Sequence, residues 1–146
     1  MELELKRGGR TARVETLGGE LVSYRDERGL EYIWGGDPAY WPGRNPLLFP
    51  IVGMLKEGKI RFDGREYAME RHGFARRREF TPAARGEDWV RLELRESAET
   101  LALYPYPFRL AVEQRLTDTG FSTAVTVANP GEGPLPFCLG AHTGFR

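Results

Sequence analysis

The chain has 146 residues, the length of a single domain, with 21 basic and 21 acidic side chains and no formal net charge. That balance excludes a whole-molecule pull toward nucleic acid or an anionic membrane. A single cysteine, Cys138, allows no internal disulfide and points to a reducing compartment.

Period-two alternation of apolar and polar residues dominates, and sustained helical periodicity is absent. Leu3 and Leu5 alternate with Glu2, Glu4 and Lys6, which predicts a half-exposed strand with no signal-peptide character. Gly8-Gly9 turns the chain. Residues 12–17 and 20–26 predict two more strands, divided by Gly18-Gly19, and Glu31–Trp34 a further one. Residues 35–46 are broken by glycine and proline and carry Tyr40 and Trp41. They read as a loop either pinned by its aromatics or forming the wall of a ligand site. Leu47–Val52 is an apolar run whose Pro50 argues against a central ladder position.

Residues 59–69 carry the sharpest local signal. Two alternating runs flank Asp63-Gly64, a two-residue hairpin turn. The implied register sets Arg61 opposite Glu66 on one face and Ile60 opposite Tyr67 on the other. Thr81-Pro82 and the following residues read as a polar connection up to Asp88. Trp89–Arg95 alternates strongly, and residues 96–100 predict one helical turn. Tyr104-Pro105-Tyr106-Pro107 reads as a stiff aromatic connector. Phe108, Leu110, Val112, Gln114 and Leu116 share one strand face, and Phe121, Thr123, Val125 and Val127 share the next. The neighbours of Cys138 predict a buried thiol. Many short strands with Gly/Pro turns indicate an antiparallel all-β sandwich or barrel.

Familiar metal, phosphate-cradling and GxSxG nucleophile patterns do not occur. Arg71, Arg76, Arg77 and Arg78 form a basic cluster that nearby acids dilute, which argues against a nucleic-acid site. No apolar run reaches membrane-span length, so the expected location is cytoplasmic. Two histidines remain, His72 and His142, each beside small residues that leave room for a ligand. Imidazole suits proton transfer near neutrality. Taken alone, each ring also reads as an ordinary structural histidine, and spacing leaves open whether the two meet.

Several motifs occur together and in order. They are Asp37-Pro38-Ala39-Tyr40-Trp41, Leu48-Phe49-Pro50-Ile51-Val52-Gly53, Phe62-Asp63-Gly64-Arg65-Glu66-Tyr67, His72-Gly73-Phe74-Ala75-Arg76, Leu101 to Phe108, and Phe137-Cys138-Leu139-Gly140-Ala141-His142. This arrangement resembles the aldose 1-epimerase (galactose mutarotase-like) family, in particular its bacterial LacX-type branch, over essentially the whole chain. The resemblance implies an antiparallel β-sandwich of the galactose mutarotase type, of which residues 1–146 form a single domain equivalent to the N-terminal portion. It implies an isomerase that interconverts the α and β anomers of a free aldose by acid/base ring opening, with no cofactor and no metal. His142 matches the general acid on the ring oxygen, and His72 the histidine that positions the ring. Arg76 and Phe74 belong to the same motif as His72 and stand as substrate contacts. The family's catalytic glutamate comes from a C-terminal half, and no carboxylate here lies in a matching motif. The alternative is a carbohydrate-binding remnant lacking the general base. A third reading is a structural β module with inert histidines. The partner expected is a monosaccharide, and the arginines admit a phosphorylated one. A sandwich cut short relative to the family exposes strand edges, so self-association is expected.

Overall fold

The computed structural model describes residues 1–146. The strands are β1 (Glu2–Arg7), β2 (Arg10–Glu15), β3 (Glu20–Arg25), β4 (Leu47–Leu48), β5 (Lys59–Phe62), β6 (Arg65–Ala68), β7 (Thr81–Arg85) and β8 (Trp89–Arg95). One short helix, α1 (Ala98–Leu103), precedes β9 (Arg109–Leu116), β10 (Phe121–Ala128) and β11 (Gly140–Ala141). All strand pairing between these elements is antiparallel.

Two sheets set the architecture. One is β1-β2-β3 and the other is β10-β9-β8-β7. β1 and β2 pack on β9, so the sheets face each other. Alternation decides which side chains turn inward. Leu3, Leu5, Ala12 and Val14 from the first sheet meet Val90, Leu92, Leu110, Val112 and Leu116 from the second in one buried cluster. Gln114 is buried between the sheets, and its amide is satisfied on both sides. Its Nε2 donates to the Gly19 carbonyl at 2.9 Å, and Thr123 donates to its Oε1 at 2.6 Å. A buried amide held this way avoids the cost of an unpaired polar group and fixes the sheets' alignment.

At one end an aromatic layer closes the core. Phe49, Tyr104 and Phe108 are fully buried, and Phe49 lies 5.2 Å from Phe108 and 6.1 Å from Tyr104 between ring centroids. The aromatic connector is therefore core as well as linker. The Tyr104 hydroxyl donates to the Pro136 carbonyl at 2.8 Å, and burial first, then Tyr106, pushes the Tyr104 phenol up beyond its ordinary range.

The hairpin β5-β6 has the expected register, Arg61 opposite Glu66 and Ile60 opposite Tyr67. Asp63 and Gly64 both take positive φ, 47° and 80°, as a two-residue turn between twisted strands requires. The one-turn helix exists and runs further than predicted, to Leu103. Ser97 and Thr100 form a reciprocal capping box at its start.

Three expectations need correction. Glu31–Trp34 is not a strand, because its backbone makes only isolated bridges, Arg25 to Glu31 and Ile33 to Phe145. Thr81–Arg85 is a strand, although all five residues are exposed and lack an inward apolar face. Cys138 is exposed rather than buried. Its segment runs along the surface, tied by its own N–H to the Pro50 carbonyl at 2.8 Å.

Candidate active site

The segment 46–53, which contains β4, lies between the two histidines. On one side β4 pairs with β11, Leu47 opposite Ala141 and Leu48 opposite Gly140. The next residue, His142, donates its main-chain N–H to the Pro46 carbonyl at 3.2 Å. On the other side Phe49 forms a parallel bridge with Gly73. His72 is clamped twice by Gly53. Its N–H donates to the Gly53 carbonyl at 2.8 Å, and the Gly53 N–H donates to His72 Nδ1 at 3.0 Å.

The His72 motif is bent by glycine chemistry. His72 and Gly73 have φ of 67° and 71°, a region that non-glycine residues occupy only when the surroundings hold them there. A Cβ on Gly73 would stand 2.2 Å from the Phe49 carbonyl oxygen. That oxygen accepts from both Phe74 N at 3.0 Å and Ala75 N at 3.2 Å. The chain then makes a 3-10 turn, Ala75–Arg77, which docks on Gly18, where a Cβ would stand 3.0 Å from the Arg76 carbonyl oxygen. Arg76 is thereby half-buried. Its Nη2 donates to the Arg71 carbonyl at 2.9 Å, while its buried Nε has no partner.

The surroundings of His72 set its chemistry. Because His72 Nδ1 accepts a hydrogen bond, the neutral ring carries its proton on Nε2. Burial, then Arg76, Arg71 and His142, holds the His72 imidazole below its ordinary value of 6.5. His142 is thus near enough to repel a proton on His72. Every charged group acting on His72 is basic. His142 itself is exposed, and its ring lies 4.9 Å from that of Trp41.

The structure brings His72, Arg76 and His142 into one electrostatic neighbourhood. It places Phe74 differently. Phe74 is 5% exposed and packs on Phe49, Tyr104 and Phe108. Phe74 precedes the 3-10 turn with its ring in the core, so it offers no open face to a sugar. The aromatic beside the site comes instead from the loop 35–46, as Trp41. The reading of this loop as the wall of a ligand site named both Tyr40 and Trp41, and alternation could not choose between them, since the loop has no period. Arg77 and Arg78 leave the site to pair with Glu70 and Glu99. No three His, Cys, Asp or Glu side chains converge in the manner of a metal site, and no helix is long and apolar enough to cross a membrane.

The sequence pattern of the family described as Aldose 1-epimerase matches residues 1–146. The chain belongs to the aldose 1-epimerase family. It is 38% identical over 152 residues to Protein LacX, plasmid, of Lactococcus lactis subsp. lactis, in an alignment covering 100% of this chain and 51% of that protein. Chromosomally encoded LacX of the same organism matches to the same extent. Among solved structures, a galactose mutarotase-like protein from Lactobacillus casei ATCC 334 superposes with a TM-score of 0.96 at 33% identity, over 99% of this chain and 50% of that one. A galactose mutarotase related enzyme from Lactobacillus acidophilus gives 0.96 at 27% identity, over 99% and 49%. The fold is therefore an antiparallel β-sandwich of the galactose mutarotase type. The chain spans about half the length of these relatives.

Proposed function

We propose that this protein acts in the interconversion of α and β anomers of a free aldose, with His142 as general acid, His72 as the group that positions the ring, and Arg76 as a further substrate contact. The observation that carries this reading is the placement of two imidazoles on either side of one stretch of main chain, His142 beside the Pro46 carbonyl and His72 clamped by Gly53. Burial and the neighbouring Arg76 and Arg71 disfavour a second proton on His72, whose Nε2–H can donate to a sugar oxygen. His142, exposed at the end of β11, hands a proton to the ring oxygen. As that proton arrives, a base removes the proton of the anomeric hydroxyl, the C1–O bond breaks, and the electron pair of the former O–H bond becomes the aldehyde carbonyl. Rotation about C1–C2 and the reverse transfers close the ring on either face. Both steps are proton transfers, and the acid is the partner this chain positions.

A second reading, sugar binding without turnover, is favoured by the charges at the site. The groups acting on His72 are all basic, and none is a carboxylate suited to the base. NMR of a freshly dissolved pure anomer separates the two. Anomerisation faster than buffer is expected, with His142→Ala lowering the rate by about 100-fold or more and Arg76→Ala lowering it less. The reverse order contradicts the role assignment. Equilibration at the buffer rate, at substantial protein concentration, sinks catalysis by this chain. Sugar-dependent shifts of the His72 and His142 ring signals then establish binding alone.

A further inference from the structure

The two histidines are held unequally. The His72 ring is fixed by the Gly53 N–H at Nδ1. The His142 main chain is equally well fixed. Its N–H reaches the Pro46 carbonyl, Thr143 donates to Asn45 Oδ1 at 2.6 Å, and Gly144 N–H donates to the Arg44 carbonyl at 2.7 Å. The His142 imidazole, however, makes no hydrogen bond to the protein and lies at the surface. An exposed side chain without a partner samples several rotamers, and general-acid chemistry needs one of them.

What meets that ring is the indole of Trp41, 4.9 Å away between centroids and tilted by 43°. The indole occupies a seat made by two glycines. A Cβ on Gly43 would come within 2.7 Å of Trp41 Cζ2, and one on Gly144 within 2.7 Å of Trp41 Cζ3. Trp41 is also held through its backbone. Its N–H donates to the Asp37 carbonyl, and its carbonyl accepts from Trp34 Nε1, both at 2.8 Å. A half-buried aromatic braced at both its main chain and its ring is a rigid surface for a neighbouring imidazole to rest on.

We propose that Trp41 is the positioning residue for His142: the indole, seated over Gly43 and Gly144, holds the imidazole in the orientation from which it serves the site. This rests on the reading of His142 as the general acid, and it gives the aromatic loop 35–46 a task in the reaction. The absence of a Cβ at Gly144 acquires a reason as well. The residue lies two places after His142 and clears the space for the ring that supports it.

The test compares wild type, Trp41→Phe and Trp41→Leu. An aromatic ring beside His142 shifts its Cδ2–H and Cε1–H NMR signals by ring current, whatever the catalytic activity. The displacement from free-histidine positions is expected to be largest for Trp, smaller for Phe and lost for Leu, with the His72 signals unchanged. In the anomerisation assay Trp41→Leu is expected to lower kcat by roughly tenfold or more with little change in KM, and Trp41→Phe to restore most of it. Identical His142 signals in all three proteins overturn the proposal. So does a Trp41→Leu protein that keeps its His72 signals and its full kcat. Should Trp41→Leu lose its fold, seen as loss of the native His72 signals, the Trp and Phe proteins decide, because indole and phenyl ring currents differ. A wild-type chain that does not accelerate anomerisation overturns the catalytic reading alone, and the ring-current comparison still decides the role of Trp41.

Discussion

Gly73 is the residue on which the His72 motif turns. An alanine there carries two penalties at once, a left-handed φ of 71° and a Cβ placed 2.2 Å from the Phe49 carbonyl oxygen. Gly64 supplies a matched control, since its φ is 80° and nothing lies within 4 Å of its would-be Cβ. Gly64→Ala is expected to cost about 1 kcal/mol, and Gly73→Ala about 3 kcal/mol or more, because the backbone must also move. Urea unfolding midpoints check this, and equal losses would show that the close approach to Phe49 carries no weight. The individual site residues were only partly legible in the sequence. The order of motifs singled out His72, Arg76 and His142. It placed Trp41 in a motif and a candidate ligand wall but not beside His142, because a loop residue's neighbours depend on distant backbone. It carried Phe74 along with the His72 motif, whereas this residue, just before the 3-10 turn, is buried against Phe49, Tyr104 and Phe108. Cys138 was misjudged because its apolar neighbours Phe137 and Leu139 are themselves exposed, in a segment with no strand pattern to set an inward face.

Among the elements, the hairpin β5-β6 was legible to the register, because its turn residues and its cross-strand pairs argue for one alignment independently. β7 was not, because a strand without an inward face leaves no alternation. Its Pro82 sits at a register shift, where a missing N–H is tolerated. The short segment after β3 was read as a strand from its apolar residues, yet a side chain holds it in place. The Glu31 carboxylate accepts from Ser23 Oγ, from Tyr24 N at 2.9 Å and from Ile33 N at 3.0 Å. Burial pushes this carboxyl up, but those bonds and Arg25 outweigh it and hold it below its ordinary 4.5. The unfolded chain therefore takes up the proton first. The contribution to stability is complete above the unfolded value and is lost as pH falls below it, through the folded value. Glu31→Gln is expected to lower stability at neutral pH by about 1–2 kcal/mol. It should also flatten the fall of Tm between about pH 5 and pH 3, as followed by circular dichroism. Parallel Tm curves for the two proteins would remove Glu31 from this role.

At the scale of the whole molecule, the four-stranded sheet has two unlike margins. β7 carries Pro82, a register shift and Arg85, all of which discourage pairing. β10, the opposite margin, reads Phe-Ser-Thr-Ala-Val-Thr-Val-Ala and has no charged residue or proline. Such an edge invites another strand. The 146-residue chain is expected to self-associate with rising concentration, and Thr126→Lys, on an exposed position of β10, to weaken that association. Sedimentation velocity reads both, and one monomeric boundary at every concentration would contradict the expectation. The sandwich architecture was legible because both principal sheets rest on alternating strands with Gly/Pro turns between them. The shape of the site was not, because it depends on β4, which has only two residues and no pattern of its own. Yet β4 has an unusual position. The carbonyl of Pro46 steadies one imidazole's backbone, and the carbonyl of Gly53 steadies the other's. The spacing of the two histidine backbones is thus measured out along one continuous piece of main chain, as marks are along a ruler. A lengthening or shortening of the segment by one residue would alter that spacing at once.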